Sequence, residues 1–492
     1  MSFYPIPEPA PEFVLPADPV PPPPAPRRRI VMPLLAWLVI LGTIAFILFW
    51  PDRTPHAAGG DQLAMMRFQV RWLVGLRDLG GPAMGGDLYL QAEALDHGPP
   101  MQRIAFVVLA GELKGPKEAL HLLKELRKEW FLERSDTAGA RGVAHLLEKQ
   151  YSAAMEPGAA GLTPEEREQL RQNLGWLGDL ALTPSGSPPA AREAVLAPAH
   201  RAVIVLIIAG IMVLGGLLIG LTLAIVLVVL ALTRRLRAHS EPTGSGTGGI
   251  YAETFALWMV LFLALSYLGG KLTVDWLPQL ERYRLLVTGL LMLASLSVLL
   301  WPVLRGVPWR QMRREVGLVA GPVPLAEPFL GLGCYLATLP LAVLAFVVVL
   351  VLMRLLGEMP GMPMGQAQQG PSHPLLGFVA SGDWVIWLQA LFLAAVVAPI
   401  VEETMFRGVL YRHLREATAG GGRFLSIVFS ALVAGFVFAV IHPQGWLLVP
   451  VLTALALGFT LCREWRGTLV GGMTAHGIHN GLITLLAIGM LG

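Results

Sequence analysis

Apolar residues run in long unbroken blocks separated by short polar, arginine-containing segments, the pattern of a chain that passes repeatedly between water and lipid. The first block, residues 30–50, is about the length needed to cross a bilayer and is longer than the apolar core of a cleaved signal peptide, so it reads as an uncleaved transmembrane anchor. A second block covers residues 201–233, and seven more lie at 252–269, 284–304, 326–356, 384–401, 424–441, 446–462 and 468–490. The pattern predicts an all-α fold, a polytopic transmembrane helical bundle of about nine spans.

The stretch between the first two blocks has a different period. Residues 51–200 contain no spanning run but several amphipathic ones. Thr163, Pro164 and Glu166 form a capping-box pattern ahead of Leu170, Leu174 and Leu177 on one face, and Lys117 to Trp130 places Leu122, Leu123 and Leu126 together. This predicts an extracytoplasmic soluble helical domain inserted between the first two spans, with no catalytic constellation of its own. Residues 1–29 are proline-rich and aperiodic, a disordered cytoplasmic tail, and residues 234–250 form a glycine-rich linker ahead of a polytopic membrane domain over 251–492.

Arginines set the orientation. Arg27, Arg28 and Arg29 precede the first span, and Arg234, Arg235 and Arg237 follow the second. Further clusters at Arg305 to Arg314, Arg412 to Arg423 and Arg463 to Arg466 fall on the same side under simple alternation. The positive-inside rule places the N-terminus in the cytoplasm of a multi-pass integral membrane protein, in the cell membrane if the source is prokaryotic. With 54% hydrophobic and 14% charged residues and a net charge of +3, the partners are a lipid bilayer and membrane-associated molecules, with no nucleic acid. Cys334 and Cys462 lie far apart within apolar runs and form neither a disulfide framework nor a thiolate zinc site.

Charged side chains within spans cost a few kcal/mol each on insertion scales, so each is a functional candidate. Glu402 and Glu403 end the run at 384–401, with Arg407 completing an E-E-x-x-x-R pattern. On a helix Glu403 and Arg407 can pair while Glu402 points about 100° away. His442 follows Phe438 in an F-x-x-x-H pattern, and His476 and Asn480 share a face in an H-x-x-x-N pattern, with His479 in reserve. Glu402 and His442 each stand roughly 30 Å along a helix from the glycine turn near Gly421, hence at one level. Taken singly, each has a bland reading: an interhelical hydrogen bond for His442 or Asn480, and self-neutralisation for Glu403 and Arg407.

The ordered set of three motifs on successive helices resembles the CAAX-protease and bacteriocin-processing (CPBP) family, which includes the type II CAAX prenyl endopeptidases, over about residues 325–490. The resemblance implies an intramembrane endopeptidase acting on a membrane-associated protein or peptide, a prenylated CAAX-like or leader-peptide substrate. It implies catalytic roles for Glu402, Glu403, His442, His476 and Asn480, with Glu402 and the two motif histidines around a water, Asn480 assisting and Arg407 as structural partner of Glu403. Such a water needs no metal. Glu402, His442 and His476 with an open position are also a sufficient donor set for catalytic zinc, and both mechanisms stay open. Two other classes remain: a noncatalytic scaffold or immunity protein of the same fold, and a proton-coupled transporter. The insert departs from the compact family pattern and leaves the substrate open, as composition leaves the oligomeric state.

Overall fold

The computed structural model describes residues 31–49, 57–81, 85–133, 138–156, 161–236, 248–357, 376–379 and 382–491. The proline-rich segment 1–29 and most of the glycine-rich segment 234–250 lie outside the described residues. All described regular structure is helical. The first apolar block is α1 (Val31–Phe49). Seven helices follow: α2 (Ala57–Gly80), α3 (Gly85–Ala92), α4 (Pro100–Lys114), α5 (Pro116–Glu133), α6 (Ala138–Met155), α7 (Pro164–Leu174) and α8 (Trp176–Leu182). They enclose their own apolar core, with Ile104, Leu109, Leu123 and Leu147 fully buried. Thr163 caps α7 as its sequence requires, accepting from the Glu166 N–H while the Glu166 carboxylate accepts from the Thr163 N–H.

A single helix of 44 residues, α9 (Pro189–Leu232), begins within this helical unit and continues as the second apolar block, across the boundary drawn at residues 200 and 201. Gly75 of α2 makes the junction close: a Cβ there would stand 2.6 Å from the Ala199 carbonyl oxygen.

The remaining helices are α10 (Gly248–Lys271), α11 (Pro278–Leu304, with a short 3-10 stretch inside it), a short amphipathic α12 (Trp309–Val316), α13 (Glu327–Gly357), a single turn α14 (Leu376–Val379), α15 (Trp384–Ala417), α16 (Arg423–Val440), α17 (Val449–Arg466) and α18 (Val470–Leu491). Among the described residues eight helices are long and apolar enough to cross a membrane by length and composition. The 22-residue α18, interrupted by two histidines and an asparagine, packs against α9, α13 and α17 and completes the set of about nine.

Helix α15 continues past the apolar run that ends at Val401. Its charged continuation stays helical because it is buried by partners rather than by lipid. Tyr411 donates to Glu464 at 2.9 Å, Arg415 pairs with the same carboxylate at 3.3 Å, and Arg412 pairs with Glu416. Two stretches of α15, Leu393–Val397 and Glu403–Leu410, widen to π-helical geometry. Such widening frees or redirects backbone carbonyls and is common at functional sites.

Candidate active site

Pro399 begins the local construction. Its ring lacks the N–H that would bond the Ala395 carbonyl in a regular α-helix, beside the first π-helical stretch of α15. Helix α18 comes in against that stretch. Gly477 allows it, since a Cβ there would lie 2.5 Å from the Ala395 oxygen, and Asn480 one turn nearby donates its amide to the Ala394 carbonyl at 3.0 Å. The contact fixes the register of α18 against α15, and with it the position of His476.

Glu402 and Glu403 then point to different partners, as successive helical residues must. The Glu402 Oε2 stands 3.7 Å from His442 Nε2 and 3.6 Å from His476 Nε2. His442 lies just beyond α16, where Pro443 prevents the helix from continuing. Its Nδ1 is 2.5 Å from the Phe438 carbonyl oxygen, which can only accept, so Nδ1 carries a proton and Nε2 is the ring nitrogen turned toward Glu402. His476 is held likewise: Nδ1 donates to Glu403 Oε1 at 2.9 Å and Nε2 faces Glu402. Two imidazoles on different helices thus turn the same ring nitrogen toward one carboxylate.

Glu403 is fully buried and does two things at once. It pairs with Arg407 Nη1 at 3.2 Å, the partner expected from the sequence, and it orients His476. Arg407 is buried as deeply, with its guanidinium carbon 4.3 Å above the Phe438 ring and 5.7 Å from that of Phe459. These aromatic faces help offset the desolvation of a cation that one carboxylate compensates only in part. Phe438 also touches His442, ring centroids 4.0 Å apart, and meets His476 edge-on at 5.9 Å. Phe459 stacks on His476 at 5.6 Å. The aromatic position of the F-x-x-x-H pattern is therefore the common wall of the site. Phe459, which no motif singled out, forms the opposite wall.

The structure thus brings Glu402, Glu403, Arg407, His442 and His476 into one cluster and gives Asn480 a backbone bond to the neighbouring helix. His479 turns elsewhere, its Nδ1 3.5 Å from the Tyr335 hydroxyl of α13. For a metal ion, two imidazole nitrogens and a carboxylate oxygen are suitable donor types. Among the described residues, however, no group of three or more His, Cys, Asp or Glu side chains is arranged to hold one.

Comparison with known proteins singles out this same region. Residues 384–482 match the family described as type II CAAX prenyl endopeptidase Rce1-like. The membrane-embedded CAAX protease MroQ of Staphylococcus aureus (strain USA300) is 23% identical over 150 residues, 30% of this chain and 58% of that protein. An uncharacterized protein of Bacillus subtilis (strain 168), YpbD, is 36% identical over 86 residues, 18% of this chain and 39% of its own length. The chain therefore spans about half the length of these curated relatives, or less. No solved structure matches it. Residues 384–482, which contain every residue of the cluster, are thus similar to the Rce1-like, type II CAAX prenyl endopeptidase family and lie within a multi-pass, all-α membrane protein.

Proposed function

We propose that the chain is an intramembrane endopeptidase that cleaves membrane-associated protein or peptide substrates with a water activated by Glu402. The observation that carries this reading is the convergence of His442 Nε2 and His476 Nε2 on Glu402 Oε2 at 3.6–3.7 Å. Those separations exceed a direct hydrogen bond and suit a bridging water. Glu402 and His442 would take a proton from that water as it attacks the scissile carbonyl, forming the C–O bond of a tetrahedral intermediate. His476, held by Glu403, would donate from a protonated Nε2 to the oxyanion, and the proton taken from the water would pass to the leaving amine as the C–N bond breaks. Asn480 acts here as a positioning residue, since its amide is committed to Ala394. Prenylated CAAX-like peptides are the first substrate class to try, given the family matched, with leader peptides second. The basic loops favour a cytoplasmic N-terminus and place residues 57–200 on the opposite side.

The test is cleavage of a panel of prenylated and unprenylated peptides by the full chain in liposomes, with and without a chelator. Replacing Glu402 with Gln should lower the rate by roughly 10²–10⁴-fold, the usual contribution of a general base. Equal cleavage by wild type and variant would reject the site. Loss of wild-type activity with the chelator, restored by zinc, would replace the metal-free scheme by a metal-dependent one.

A further inference from the structure

On the side of the molecule where the arginine-rich loops lie, α12 and the loop after it border a groove of about 410 Å³. That volume is within the roughly 300–1,000 Å³ typical of small-molecule sites. The sequence of α12, Trp309 to Val316, is strongly two-faced. Met312, Glu315 and Val316 are buried, while Trp309, Arg310, Arg313 and Arg314 are exposed. Gly317, with φ of +89°, reverses the chain so that Leu318 and Val319 return alongside the helix. Arg313 Nε donates to the Leu318 carbonyl at 3.1 Å, which fixes the arginine at the rim. The apolar wall is Trp309, Leu318, Val319, Leu469, Val470 and Met473.

We propose that this groove binds one anionic phospholipid, with an acyl chain along the apolar wall and the headgroup phosphate on Arg313. Three observations favour a lipid over a soluble anion or a peptide. The wall is followed along the chain by outward-facing apolar residues, Val323 (53% exposed), Leu325 (89%) and Phe329 (76%), at the entry to the candidate span Glu327–Leu355. Tryptophan and a basic amphipathic helix mark the interfacial layer where headgroups sit. Arg310, Arg313 and Arg314 form no ion pair with a carboxylate among the described residues, so their field acts on what lies at the rim. An amphiphile with one negative head and one apolar tail matches this layout, and neither half of the site alone would select it.

The groove is also linked to the catalytic cluster through α18. Met473 precedes His476 by three residues on α18, and Gly408 packs α15 onto Val316 and Leu469, where a Cβ would meet Val316 Cγ1 at 2.5 Å. A lipid chain against Val470 and Met473 would brace the turn that presents His476. Binding itself does not depend on the peptidase reading.

The test is native mass spectrometry of the full chain released from mild detergent with phosphatidylglycerol or phosphatidylcholine. The expected result is retention of one phosphatidylglycerol, with Arg313→Gln weakening retention about fivefold or more, as loss of one arginine at an anionic surface predicts. Ala320→Trp, which fills the mouth of the groove, should displace the lipid without lowering the lipid-free melting temperature. Glu402→Gln should retain lipid as wild type does, so a failed peptidase reading would leave this result standing. Equal retention of the two lipids, equal retention by wild type and Arg313→Gln, or full displacement by millimolar glycerol phosphate would each overturn the proposal.

Discussion

The buried pair Glu403 and Arg407 carries the sharpest contrast among single residues. The sequence spacing i, i+4 on a helix made their pairing legible, and the structure has it at 3.2 Å. What spacing could not give is the third party: His476 arrives from a helix 73 positions later and takes the same carboxylate oxygen. Removing one member of a buried pair costs about 3–5 kcal/mol, because the remaining charge is stranded. Arg407→Ala should therefore lower stability by that order in a reversible unfolding titration of the detergent-solubilised protein. Glu403→Gln strands Arg407 by the same argument and should cost stability as well, but it also has a catalytic readout. The amide can still accept from His476 Nδ1, so the ring keeps its orientation, but it no longer stabilises an imidazolium. The rate should fall while KM for a given peptide changes little, and the pH profile of cleavage should change. A purely structural Glu403 would move stability and leave the pH profile where it was.

At the scale of helices, apolar run lengths placed the spans other than α9 and α15 within a few residues, because bilayer thickness leaves little freedom in a helix that must cross it. The run at 384–401 is the instructive exception. Hydropathy ends there at Glu402, yet α15 continues to Ala417, where Glu416 pairs with Arg412 and both Glu464 and Ser426 engage Arg415. Hydropathy records solvation by lipid and carries no record of partners on other helices. The π-helical widening was equally hidden, although Pro399 and the close glycines of α18 are its visible traces. These glycines give a direct prediction. Gly477→Ala would press a methyl into the Ala395 carbonyl at 2.5 Å and push α18 off α15, breaking the Asn480 bond and displacing His476 from Glu402. Gly333→Ala on α13, where nothing lies within 4 Å, is the matched control. Cleavage by the Gly477 variant should fall by at least tenfold, since misplacement of a catalytic group by about 1 Å can cost 10²-fold, while the Gly333 variant keeps wild-type rates.

For the whole molecule, the helical unit of residues 57–200 is joined to the membrane bundle more firmly than a linker would allow. Helix α9, with Pro198 inside it, belongs to both as one helical segment, and α2 packs along it. A second attachment closes the arrangement: Arg71 of α2 donates to the Met490 carbonyl of α18 at 2.8 Å, with its guanidinium 5.4 Å from the Trp176 ring. A cation at the C-terminal end of a helix satisfies an orphan carbonyl and opposes the negative end of the helix dipole. The helix so held is the one that carries His476 and Asn480. Arg71→Ala should therefore act at a distance. Amide hydrogen exchange in the last turn of α18 should rise in the variant, while exchange in the separate core around Leu109, Leu123 and Leu147 stays as in wild type. If the attachment also steadies the catalytic turn, cleavage falls with Km unchanged. Unchanged exchange at the end of α18 would mean that α9 alone holds the unit in place, and that the Arg71 bond adds no constraint to the helix bearing His476.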